Sequence, residues 1–118
     1  MKLAIIGSRT CPPLDIESQL KYIPDTIISG GARSADTYAR EFALKHHLHL
    51  VEFLPDYDKY PPKVVPLKRN ELIVDTCDCL LAFWDGTSRG TKFTIELAVK
   101  KGKPVKIVNY ITKEETRS

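Results

Sequence analysis

An α/β domain built on a parallel sheet is the fold this sequence predicts, and three observations predict it. Five short apolar runs alternate with amphipathic stretches of helix length along the chain, the pattern of βαβ units. Runs such as "LAII" and "CLLAF" are nearly continuously apolar, as strands covered on both faces should be. At 118 residues the chain has the size of one compact domain.

The expected strands are "KLAIIG" (2–7), "DTIIS" (25–29), "LHLVEFL" (48–54), "DCLLAFW" (78–84) and "PVKIVN" (104–109). The expected helices are "LDIESQLKYI" (14–23), "SADTYAREFALKHH" (34–47), "PLKRNELIVDTC" (66–77) and "TKFTIELAVKKG" (91–102). In the second helix Ala35, Tyr38, Ala39, Phe42 and Ala43 recur at the spacing of one buried face. Pro66 suits the opening turn of the third. Gly102 followed by Lys103 and Pro104 closes the fourth. The prolines of "PDYDKYPPKVV" (55–65) hold that segment out of helix and sheet, and residues 111–118 are expected to fray as a C-terminal tail after a domain of residues 1–110.

Composition narrows the function classes. Hydrophobic residues at 42% and charged residues at 28% are ordinary for a globular domain. A net charge of +3 suits an anionic ligand but falls short of the basic stripe of a dedicated nucleic-acid binder. Three cysteines, Cys11, Cys77 and Cys79, are an odd number outside any Cys-x-x-Cys spacing, which speaks against a disulfide framework and for a reducing compartment. The opening apolar run is too short for a signal-peptide core, and no stretch approaches the roughly 20 apolar residues that span a bilayer. A cytoplasmic protein without membrane attachment is expected.

In an open α/β sheet, ligands bind beyond the carboxyl ends of the strands. Those ends read "GSRT", "SGGARSAD" and "DGTSRGT", each rich in Gly, Ser, Thr or Arg and each placed before a helix. The opposite turns, "IPD", "HHLH", "CD" and "KGKP", lack that character. Glycine lets backbone approach a ligand closely, and a helix N-terminus exposes unpaired N–H groups and partial positive charge. Together they make a phosphate cradle, to which Ser8, Arg9, Ser29, Arg33, Thr87, Ser88 and Thr91 add hydroxyl and guanidinium donors. No G-x-G-x-x-G or Walker loop is present, so the usual dinucleotide and NTPase signatures are missing.

The segments "IIGSR", "SGGARSADTYA", "KRNELIVDTCDCLLAFWDGTSRGT" and "AVKKGKPVKIV" resemble the SLOG superfamily, a Rossmann-like group. It includes DNA-processing protein A and the lonely-guy phosphoribohydrolases. The likeness is greatest to its small stand-alone YspA/YpsA-related branch and runs from Lys2 to about Val108. It implies a three-layer domain with a five-stranded parallel sheet of order 3-2-1-4-5 and helices on both faces. It also implies a site for a nucleotide-derived ligand on Gly7, Ser8 and Arg9, on Gly30, Gly31 and Asp36, on Arg69 and Asn70, and on Asp85, Gly86, Ser88, Gly90 and Thr91. The chain departs from the hydrolytic relatives at one point. Those carry a glutamate two or three positions after the threonine of their glycine-rich loop, whereas here the first acid after Thr91 is Glu96.

Three acids are candidates for catalysis: Asp36, Asp85 and Glu96. Asp36 and Asp85 lie in strand-end loops, where each can cap a helix, hold Arg9 or Arg33, or bind a ribose hydroxyl. Acting as a general acid would require a raised pKa. Tyr57, Tyr60 and Trp84 are candidate base-stacking rings, a contact worth roughly 1–3 kcal/mol per base. His46 and His47 diverge by about 100° on a helix and lie at the wrong end of the sheet, so no metal site is expected. Cys77 and Cys79 read as small buried residues, and Cys11, just after "GSRT", as a thiol exposed near the site.

The favoured function is binding of a nucleotide or nucleotide-like phosphate ester, with no cofactor. The alternatives are an N-glycosidase acting on a nucleoside monophosphate and a single-stranded nucleic-acid module, to which the mild charge gives least support. Self-association is plausible for a sheet protein of this size.

Overall fold

The computed structural model describes residues 1–8, 10–13, 15–30 and 35–117. Side chains along β1 (Lys2–Gly7) point alternately to opposite faces of the sheet. Leu3 and Ile5 enter one apolar cluster, and Ala4 and Ile6 enter the other. β4 (Cys79–Trp84) divides likewise, with Leu81 and Phe83 on the first face and Leu80 and Ala82 on the second. β2 (Thr26–Ser29) sends Ile27 one way and Ile28 the other. These central strands are buried on both sides, which is why their sequences lack polar alternation.

Helix α1 (Ala35–Lys45) covers the first face through Ala39, Phe42 and Ala43. Helices α2 (Val65–Thr76) and α3 (Arg89–Lys100) pack side by side on the second, through Ile73, Val74, Ile95 and Ala98. With β3 (His49–Glu52), β5 (Val105–Asn109) and β6 (Glu115–Arg117), the sheet runs β3-β2-β1-β4-β5-β6. The α/β single-domain reading stands, but a sheet of five strands, all parallel, does not. β1 to β5 are mutually parallel, and β6 adds a sixth strand antiparallel to β5.

That strand comes from the segment for which fraying is expected. Asn109 makes the turn that returns it, its Oδ1 accepting from the N–H groups of Ile111 at 2.9 Å and Thr112 at 3.1 Å. The Asn109 N–H then donates to Glu114 O at 2.8 Å. All three residues of β6 are exposed, so no apolar pattern marks it.

The expected first helix, 14–23, is also corrected. Leu14 lies outside the described residues, and among the described ones only a single 3-10 turn forms, Glu17–Gln19. Asp15 Oδ1 accepts from the Ser18 N–H at 3.1 Å, and Ser18 Oγ donates to Asp15 O at 3.1 Å. Such local bonds compete with a continuing helix, and Leu20 is already extended. Ile16 and Leu20 still reach the first-face core.

The histidine run closes α1. His47 takes a left-handed conformation, φ 55°, and the Leu48 N–H donates to Ala43 O at 2.9 Å, the Schellman arrangement that more often uses glycine. Gly102, φ 74°, closes α3 the same way, with the Lys103 N–H on Ala98 O at 2.9 Å. Among the described residues no helix is long and apolar enough to cross a membrane.

Candidate functional site

The carboxyl ends of β1, β2 and β4 lie side by side in the order β2-β1-β4, so adjacent strand ends are about 4.8 Å apart. Gly7 ends β1, and its glycine serves chain packing. A Cβ there would stand 2.5 Å from Ala35 Cβ and 3.2 Å from Phe83 O, so β1 meets the first residue of α1 with no room for a side chain. Ser8 follows, its N–H on Phe83 O at 3.1 Å. Its hydroxyl is buried with no hydrogen-bond partner among the described residues. Buried polar groups seldom lack a partner.

At the end of β2 the Gly30 peptide is gripped from both layers. Its N–H donates to Asp36 Oδ1 of α1 at 3.2 Å, and its carbonyl accepts from Arg69 Nη1 of α2 at 3.0 Å. Arg69 Nε donates to Asn70 Oδ1 at 2.8 Å, and Asn70 is buried. A Cβ on Gly30 would collide with Arg69 Nη1 and stand 2.9 Å from Cζ. Glycine is therefore needed for the close approach of a guanidinium. Ser29, also buried, accepts the Phe53 N–H at its carbonyl, 2.9 Å.

Arg69 has two neutral acceptors, Gly30 O and Asn70 Oδ1, and no carboxylate partner among the described residues. Its Nη2 makes no hydrogen bond among the described residues. An arginine so held is oriented without being neutralised.

After β4, Asp85 Oδ1 accepts the N–H groups of Thr87 at 2.9 Å and Ser88 at 2.7 Å. These bonds hold the carboxyl below the ordinary aspartate range. Asp85 is thus an ionised brace at the entry to α3, the reverse of what a general acid requires. Gly86 takes φ 87°, a conformation that favours glycine. Trp84 Nε1 donates to Ser88 O at 3.0 Å and ties the loop to its strand. In the first turn of α3, Gly90 faces open space and Thr91 is buried.

Glu96 is exposed on α3 and lies 3.8 Å from Lys92 Nζ, away from the strand ends. Cys11 is buried, contrary to expectation, and burial pushes its thiol up to about 12. Cys77 is buried as well, its thiol raised to about 11. Neither suits nucleophilic work at neutral pH.

Tyr57 is exposed and makes no polar or ring contact among the described residues. The Tyr60 ring has the ammonium groups of Lys59 and Lys68 at 5.5 and 5.9 Å, one residue along α2 from Arg69. Arg9, Gly31 and Arg33 lie outside the described residues. Among those described, no cluster of three or more His, Cys, Asp or Glu side chains is arranged to hold a metal ion.

One pair escaped sequence reasoning. Thr10 Oγ1 and Tyr110 Oη are 3.2 Å apart, joining the loop after β1 to the turn after β5 across the end of β4. The only hint in the sequence was an aromatic residue just past the last expected strand. Comparison with family models, with curated proteins and with solved structures finds no match for the chain.

Proposed function

We propose that the protein is a SLOG-type domain that binds a nucleotide or nucleotide-derived phosphate ester at the carboxyl edge of its sheet. One observation carries the reading: Arg69 is anchored on Gly30 O and Asn70 Oδ1 with its charge unpaired among the described residues. A guanidinium held at a strand end, beside the start of a helix, suits a phosphate oxygen. The buried hydroxyl of Ser8, without a partner among the described residues and one strand away, supplies a second donor for the same ligand.

The reading is of binding rather than cleavage. Asp85 is spent on backbone N–H groups and stays ionised. Glu96 faces solvent beside Lys92. Asp36 is left as the acid nearest the ligand, bonded to the Gly30 N–H and suited to ordering the loop or meeting a ribose hydroxyl.

Calorimetric titration with AMP, ADP-ribose and NAD tests the proposal. Saturable heat with at least one of them, lost in Arg69→Met, is expected. No heat from any of the three overturns it.

A further inference from the structure

At the opposite edge of the sheet, a groove of about 220 Å3 opens at the amino ends of β1, β4 and β5. It exists because the β1 to β2 crossover contains one 3-10 turn instead of a full helix, leaving this part of the first face under residues 19–22. Its floor is apolar, with Leu3, Leu81 and Cys79. Lys21, Lys106 and Arg117 also line it. Lys106 is paired with Glu115 at 3.3 Å, while Lys21 and Arg117 have no carboxylate partner among the described residues. Gln19 lines the groove and its Oε1 is buried with no hydrogen-bond partner among those residues, and Tyr22 stands exposed at its rim.

These features specify a ligand. The floor and the Tyr22 ring accept an apolar, flat body. The unpaired cations call for an acidic group. The unmatched acceptor calls for an N–H or O–H donor, because a buried polar atom left unbonded is costly. We propose that this groove is a second binding site, independent of the carboxyl-edge site, that takes a small aromatic monoanion carrying one hydrogen-bond donor.

The probe is 8-anilinonaphthalene-1-sulfonate, which has an aromatic body, a sulfonate and an N–H. Titration of the full chain, followed by dye fluorescence and amide NMR shifts, should give one saturable site. Its shifts should centre on residues 19–22, 80–81 and 105–106. The double variant Lys21→Glu, Arg117→Glu should bind the dye about tenfold more weakly, and Gln19→Leu several-fold more weakly. The uncharged analogue N-phenyl-1-naphthylamine should be indifferent to the charge reversal. Shifts centred elsewhere, or dye affinity unchanged by the double variant in a protein with native amide dispersion, overturn the proposal.

Discussion

Alanine at Gly7 and at Gly30 should have opposite consequences, although both glycines end a strand. At Gly7 the new Cβ would lie 2.5 Å from Ala35 Cβ and 3.2 Å from Phe83 O. Carbon–carbon contact is comfortable at about 3.5–4.0 Å, so β1 and the first turn of α1 must separate by roughly 1 Å. Neither obstacle can swing aside, one being a Cβ and the other backbone. Overpacking of this kind costs about 1–3 kcal/mol, or roughly 4–12 °C in melting temperature for a domain of this size. At Gly30 the obstacle is the far end of Arg69, which can rotate into solvent. Folding then loses the bonds from the guanidinium to Gly30 O and to Asn70 Oδ1, together about 2 kcal/mol at this half-buried position. It recovers about 0.4–1 kcal/mol because alanine restricts the unfolded chain. The net loss is about 1–2 kcal/mol. Ligand affinity, however, should fall at least about tenfold, because the guanidinium is no longer aimed. Urea melts paired with AMP calorimetry separate the two effects. If Gly30→Ala melts as early as Gly7→Ala while binding AMP normally, the reasoning about Arg69 is wrong.

Arg69→Met should weaken nucleotide binding about 10–100-fold, the worth of a charge-assisted hydrogen bond, and should cost about 2 kcal/mol of stability through the lost bonds to Gly30 O and Asn70 Oδ1; calorimetry and a melt read both. Arg69→Lys should not restore affinity, because the two bonds to Asn70 Oδ1 and Gly30 O come from separate nitrogens of a rigid fork, which the single nitrogen of a lysine does not provide. Asp85→Ala removes two backbone bonds at the entry to α3 and should cost about 1 kcal/mol at pH 7. Since the folded carboxyl is held below its ordinary range, that contribution is present above the unfolded value near 4 and fades as pH drops through the folded value. Melts of wild type and variant should therefore converge in acid, and a constant gap down to pH 2 would contradict the brace. Iodoacetamide at pH 8 should leave Cys11 and Cys77 unmodified until denaturant is added, because both are buried with raised pKa values; rapid labelling of Cys11 in the native protein would place it at the surface after all.

The five parallel strands were legible because "LAII" and "CLLAF" need burial on both faces, and α1 because its alanines and Phe42 repeat at helical spacing. β6 was not legible. Its three residues are exposed and carry no apolar signal, and the Asn109 side chain that creates its turn could equally cap any loop. The segment 14–23 failed for a different reason. Its apolar spacing fits a helix, yet Asp15 and Ser18 satisfy each other locally and the chain never commits to a second turn. At the site, sequence reasoning found Gly30, Arg69 and Asn70 but not their relation. Arg69 reaches Gly30 across 39 residues, a contact that topology alone brings about. For Asp85 the capping alternative was readable beforehand, and the two N–H groups it accepts decide in its favour. Cys11 was misjudged because its burial depends on how the loop after β1 folds back over the first face.

The proposed site requires that an anion come to Arg69 Nη2, which is unpaired among the described residues. A crystal structure of the protein with bound AMP tests this most directly. Phosphate oxygens should lie within hydrogen-bonding distance of Arg69 Nη2, with Ser8 Oγ turned toward the same ligand and Gly30 still bonded to Arg69 and Asp36. A nucleotide seated anywhere else, out of reach of Arg69 Nη2, would contradict it.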